Sequence, residues 1–139
     1  MSQYLDSSVL VASLMPDDPD HAACDALLNQ AGNWTIPHAM NETFATLTGG
    51  KLGMKVDADV AAKMIRESIV PCMTFVEISV DEILAAQSNA RKQGVRGGGV
   101  YDYMHLVAAR KVKAHILYTI NLGDFHHLHR EGDPEIRRP

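Results

Sequence analysis

Cysteine is scarce in this chain: two residues, Cys24 and Cys72, stand in 139, both in apolar surroundings and without C-x-x-C spacing. That favours reduced core thiols over a disulfide or a metal pair. Long apolar runs are also missing. No stretch approaches the ~20 residues of a membrane span, and Met1 to Leu5 leads into a strand without a basic region or cleavage site, so a cytoplasmic protein with no membrane segment is expected. A basic excess is absent too, since 13 basic and 17 acidic residues give a net charge of −4. This argues against a broad electropositive footprint for nucleic acid, but net charge governs association more than the chemistry of a local site. Setting aside the four acids singled out below, 13 acidic residues remain against 13 basic. Repeats, low-complexity tracts and linkers are lacking as well. The run Gly97-Gly98-Gly99 has no following Lys-Ser/Thr, so it reads as a flexible loop rather than a phosphate cradle.

What is present is apolar material for one core: 46% hydrophobic residues in 15.2 kDa, which predicts a single domain over residues 1–139. Strand and helix signals alternate along it. Gln3 to Leu5 reads as a short buried strand, and Asp6-Ser7-Ser8 as an N-cap cluster for a helix through Leu14. Asp20 caps a helix from His21 to about Gln30. Trp34 to Ile36 reads as a strand ended by Pro37, followed by a helix to about Thr48 that Gly49-Gly50 closes. Further helices are expected over 57–68, 80–93 and 101–113, with strands at Met73 to Ile78 and His115 to Thr119. Asn121 to Asp124 reads as a turn, and the tail from His126 as mostly irregular. Strands separated by helices of this length predict right-handed crossovers and a parallel sheet covered on both faces, a three-layer α/β/α sandwich.

Isolated acids stand at the element boundaries of this pattern. Asp6 ends the first strand, Glu42 lies within the third helix, Asp102 opens a later helix, and Asp124 follows the last clear strand with Asn121 just before it. Open parallel sheets bind ligands outside the carboxyl ends of their strands, near the point where strand order reverses. Leu106 and Ala109, four and seven residues after Asp102, put that acid on the inward stripe of its helix. Carboxylates about 4 Å apart repel by roughly 4 kcal/mol at an effective dielectric of 20, so several can share a pocket only with protons or cations between them. Oxygen ligands suit Mg²⁺ or Mn²⁺ rather than zinc. Such an ion activates water and neutralises charge on a phosphoryl group, which points toward phosphodiester hydrolysis.

Tyr-Leu-Asp6-Ser-Ser, Asn-Glu42, Tyr-Asp102 opening a helix that ends in Val-Ala-Ala-Arg, Leu-Tyr-Thr119-Ile-Asn121-Leu-Gly-Asp124-Phe125 and the Gly132 to Ile136 ending together resemble the successive motifs of PIN-domain ribonucleases. In length and order they are similar to the VapC-type toxins of bacterial toxin-antitoxin pairs. The resemblance covers nearly the whole chain. It implies a PIN-like fold, Mg²⁺- or Mn²⁺-dependent endonucleolytic cleavage of RNA, a homodimer, and a cognate antitoxin that occludes the site. It further implies Asp6, Glu42 and Asp102 as metal ligands, with Asn121 and Asp124 completing the catalytic set. Asn121 is a departure, because many relatives carry a fourth Asp there, and an amide holds a water without adding charge.

Each of these residues also has an ordinary role open to it. Asp6 could simply cap a helix, Asp102 could stabilise a helix dipole, and Asn121 and Asp124 could serve the turn. Glu42 could be exposed, although Ala39 and Ala45 flank it on a small-residue face. Thr119 and Ser7 could orient ligands, or only bond to backbone. His126-His127-Leu128-His129 lacks the spacing of a zinc site and reads as solvated. Arg91, Lys92 and Arg96 could reach a nucleic-acid backbone from the glycine loop. Phe44, Leu47 and Met54 read as core or as a groove for a partner helix. The competing functions are a phosphatase with Asp6 as nucleophile, disfavoured because Ser8 stands where a second acid is needed, and a nuclease-like domain that has lost activity and only binds.

Overall fold

The computed structural model describes every residue except Met1, Lys51, Leu52 and Met54, so the reading of Met54 lies outside the described residues. Five strands form one parallel sheet: β1 (Gln3–Leu5), β2 (Asn33–Thr35), β3 (Thr74–Phe75), β4 (Ile116–Tyr118) and β5 (Glu135–Arg137), in the order β3-β2-β1-β4-β5. Among the described residues, seven α-helices connect them: α1 (Ser7–Leu14), α2 (His21–Leu28), α3 (His38–Gly49), α4 (Ala58–Met64), α5 (Val80–Gln93), α6 (Gly99–Lys111) and α7 (Leu122–His126). The helices pack as two groups, with α1 against α2 and α3 and α3 against α4, and separately α6 against α5 and α7. This is the expected α/β/α arrangement.

Burial follows the sequence pattern. Tyr4, Leu5, Leu10, Leu47, Leu106, Leu117 and Phe125 lie fully inside the core. Polar side chains fix the strand order where backbone pairing alone is short. Asn33 donates from Nδ2 to the carbonyls of Leu27, Leu28 and Gln30, each at 3.1 Å, which satisfies the end of α2. Its Oδ1 accepts from Gln3 Nε2 at 2.7 Å and so ties β2 to β1. Thr35 Oγ1 donates to the carbonyl of Leu5 at 2.9 Å, at the edge where the site lies.

Four expectations are corrected. The tail is not mostly irregular: α7 occupies 122–126, and Glu135–Arg137 pairs in parallel with β4 as a fifth strand. Arg110 anchors the turn before that strand, donating from Nε and Nη2 to Asp133 at 2.7 and 2.8 Å. The helix expected over 57–68 is regular only over Ala58–Met64, then widens into a π-helical turn over Ile65–Ile69 and tightens at Val70–Cys72. Pro71 in that last turn has no N–H to continue an α-helix. The strand expected at 73–78 pairs only over Thr74–Phe75, with one further bond from Val76 N to the carbonyl of Thr35 at 2.9 Å. Asp20 stands at the start of α2 but makes no capping bond, and its Oδ2 accepts instead from Arg138 Nη2 at 2.8 Å.

Candidate functional site

Strand order reverses between the central strand β1 and its neighbour β4, and the first residues beyond their carboxyl ends meet there. The backbone N–H of Asp6 donates to the carbonyl of Tyr118 at 3.2 Å. Thr119 Oγ1 donates to Asp6 Oδ2 at 2.6 Å, so this side chain bonds to the acid itself and not merely to backbone. Asp6 Oδ1 accepts from Ser8 Oγ at 2.5 Å and from the N–H of Val9 at 3.2 Å. Asp6 is therefore the N-cap of α1 and a member of the carboxylate cluster at once. Ser8, not Ser7, is the hydroxyl that holds it, and Ser8 also accepts from the N–H of Ile120 at 3.0 Å. Asp6 is 3% exposed. Burial pushes its carboxyl up, against the His105 ring and the hydroxyl donors, which pull it down.

Asp102 lies in the first turn of α6, half-buried, on the stripe that carries the fully buried Leu106 and Ala109. Its carboxyl is pushed up to about 6 by burial and then by the charge of Asp124, with Asp6 and Glu42 adding to the effect and His105 opposing it. No hydrogen-bond donor stands among these leading influences. Asp102 is thus the point on which the other three acids act. Asp6 comes from the end of β1, Glu42 from the second turn of α3, and Asp124 from α7.

Glu42 is held by a residue that sequence reasoning passed over. His105 Nε2 stands 2.7 Å from Glu42 Oε1, and His105 Nδ1 stands 2.7 Å from the hydroxyl of Tyr4. His105 is 1% exposed and Tyr4 fully buried, with the two rings meeting edge to face at 5.6 Å. The signal was available: His105 is three residues after Asp102 on one helix face, and Tyr4 is two before Asp6 on one strand face. Of the small residues flanking Glu42, Ala39 is buried and Ala45 exposed, so only one side of that face is closed.

Asn121 and Asp124 sit at the rim. Both are exposed; Asn121 starts α7, its N–H donating to Thr119 Oγ1 at 3.0 Å, and the N–H of Asp124 donates to the carbonyl of Asn121 at 3.1 Å. Beside the cluster opens a cavity of about 620 Å³ lined by Ile36, His38, Ile83, Gln87, Tyr101 and Met104 among others. At its edge His38 and Tyr101 stack at 5.4 Å with ring planes 17° apart. His126, His127 and His129 are exposed, as are Arg91, Lys92 and Arg96. Cys24 and Cys72 are free thiols, and burial pushes Cys24 up to about 12.

The donor set is hard oxygen, three carboxylates from three other segments acting by their charge on the half-buried Asp102, a chemistry that suits a divalent cation such as Mg²⁺ or Mn²⁺. Among the described residues, no three His, Cys, Asp or Glu side chains stand in a ready ligating group. Both oxygens of Asp6 and one of Glu42 are engaged by protein donors.

Solved structures with the same fold include VapC20 of Mycobacterium tuberculosis, described as a sarcin-ricin loop cleaving toxin, at 22% identity over 84% of this chain and 87% of that one, with a TM-score of 0.65. FitAcB of Neisseria gonorrhoeae aligns at 18% identity over 99% and 97%, with a TM-score of 0.66. VapBC-1 of nontypeable Haemophilus influenzae aligns at 19% identity over 99% and 98%, with a TM-score of 0.59. No curated protein sequence matches the chain. Residues 3–128 match the family model of the PIN domain, nearly the full length, and the chain belongs to the PIN-domain family.

Proposed function

We propose that this chain is a Mg²⁺- or Mn²⁺-dependent endoribonuclease and the toxin of a toxin-antitoxin pair. What supports the reading is that Asp6, Glu42 and Asp124 each act by their charge on Asp102 near the switch point of the sheet, where its carboxyl is pushed up to about 6. Asp6, Glu42 and Asp102 would hold the cation. A cation held there would supply the acidity that activates a water and the charge that offsets a phosphate under attack.

The chain's own residues do the rest. Thr119 and Ser8 hold Asp6 by hydroxyl bonds, so its carboxylate is oriented in advance. Asn121 and Asp124, exposed on the rim, face an arriving RNA, and the Asn121 amide can orient a water without adding negative charge. The stacked His38 and Tyr101 lie beside Asp102, with Tyr101 half-exposed, and offer a surface for an unpaired base. Single-stranded or looped RNA fits this, because splayed bases are what side chains can stack on and read.

A homodimer and an antitoxin that covers the site belong to the same proposal. They draw support from the shared fold with VapC20 and VapBC-1, and from Val80 and Leu84, apolar residues one turn apart on α5 that are 72% and 53% exposed. No described helix is long and apolar enough to cross a membrane.

The deciding experiment treats a total RNA pool with antitoxin-free protein in Mg²⁺, in chelator, and with Asp102→Asn. Discrete fragments in the first reaction alone are expected. Intact RNA throughout, from folded protein that binds no Mg²⁺, would instead favour a PIN-like binding module.

A further inference from the structure

We infer that His105 is a positioning residue for Glu42, and that Tyr4 sets which of its ring nitrogens faces that carboxylate. The inference rests on the proposed metal-dependent reading of the site and adds to it a residue from the buried side. A carboxylate only accepts, so the 2.7 Å contact to Glu42 Oε1 requires a hydrogen on His105 Nε2. A ring with its one proton there has a bare lone pair on Nδ1. The Tyr4 hydroxyl, 2.7 Å away, donates to it.

The bond network turns one strand and one helix into a common frame. Tyr4 and Asp6 point to the same face of β1, two residues apart, and His105 and Asp102 share a face of α6, three residues apart. Glu42, from α3, is the outlying member, and among the described residues His105 is the one donor to its side chain. The relay fixes Oε1, and Oε2 is the oxygen to which no described residue donates and which would meet a cation. An imidazole buried to 1% exposure with both nitrogens engaged is also costly to rearrange, so Glu42 is held in place before any ion arrives.

The test measures Mn²⁺ affinity by titration calorimetry on the whole chain, alongside ¹⁵N spectra of the His105 ring and thermal melts. In the wild type the ring should show a protonated Nε2 and an unprotonated Nδ1. His105→Leu removes the donor and should weaken Mn²⁺ binding about 10- to 100-fold, the usual effect of losing a hydrogen-bond partner behind a metal ligand. His105→Gln, whose amide N–H can reach Glu42, should recover most of that loss. Tyr4→Phe should fold normally, weaken Mn²⁺ binding several-fold and allow the ring proton to move to Nδ1. A folded His105→Leu with unchanged Mn²⁺ affinity, or a wild-type ring protonated on Nδ1 alone, would overturn the inference. Wild-type chain that binds Mn²⁺ with this dependence on His105 yet cleaves no RNA would overturn the nuclease reading and leave the positioning role standing. Wild-type chain that binds no Mn²⁺ would overturn both.

Discussion

Replacing Asp102 by asparagine should stabilise the metal-free protein at neutral pH while abolishing its response to Mn²⁺. The Asp102 carboxyl is pushed from 3.8 to about 6 by burial and by Asp124. At ~1.4 kcal/mol per pH unit that displacement corresponds to about 3 kcal/mol at face value. The side chain is only half-buried, so solvent screening leaves about 1–2 kcal/mol. Between pH 3.8 and about 6 the folded chain keeps a proton that the unfolded chain releases. Stability from this group is therefore greatest below 3.8, falls as the pH rises to about 6, and is level above it. Asparagine carries no charge to penalise. In chelator at pH 7.5, Asp102→Asn should melt about 3–6 °C above the wild type, at about 3 °C per kcal/mol for a chain of this length. The gap should close by pH 4. With Mn²⁺ at 100 times its dissociation constant the order should reverse, because binding then adds about 2.7 kcal/mol to the wild type alone. Scanning calorimetry across pH 4–7.5 measures all three. A variant that melts lower than the wild type in chelator at pH 7.5, or by a constant offset at every pH, would refute the reasoning.

The same carboxyl makes cation binding pH-dependent. A cation competes with one proton at Asp102, so Mn²⁺ affinity measured by calorimetry should fall about tenfold per pH unit below about 6 and be flat above it; an affinity unchanged down to pH 5 would rule this out. Asp133 should show the opposite sign. Burial opposes its ionisation, but the hydrogen bonds from Arg110 and from the N–H of Arg130 outweigh that and hold it below the ordinary value of 3.8. Its contribution is then present above 3.8 and lost as the pH falls through the lowered folded value. Asp133→Ala should cost about 1–3 kcal/mol at pH 7 and much less near pH 2, read from denaturant titrations, and an equal cost at both would refute the role assigned to the Arg110 pair.

How much of this was legible depended on whether a feature is local. Asp6 and Asp102 could be found because a strand end and a helical stripe are written in neighbouring residues. The fifth strand could not. Glu135 and Arg137 flank a single apolar Ile136, and what makes them a strand is β4 alongside and the Arg110 to Asp133 bonds at the turn, both distant in sequence. The π-helical turn at Ile65–Ile69 is hidden for a similar reason, since the apolar spacing of Ala61, Ile65 and Ile69 is that of an ordinary helix and all three are buried. The sequence shows that His105 shares a helix face with Asp102, but not what it bonds to. Its partners Tyr4 and Glu42 lie 101 and 63 residues away, so the packing of α6 over the sheet is needed to identify them.

The acids of the cluster are not equivalent, and the difference suggests a division of work between them. Asp6 receives donors on both oxygens, from Ser8 and Val9 on one and Thr119 on the other, which offsets part of the cost of burying it. Glu42 receives one, from His105. Asp102 has burial and three neighbouring carboxylates acting on it, with no donor among its strongest influences. Hydrogen bonds from protein donors stabilise a carboxylate whether or not an ion is near, so Asp6 is ordered beforehand even though burial still pushes its carboxyl up on balance. Asp102 is pushed up by burial and by its neighbours' charge, and a divalent charge beside it would offset that repulsion. On this reading Asp6 and Glu42 fix where the ion would sit, and Asp102 ties its binding to pH.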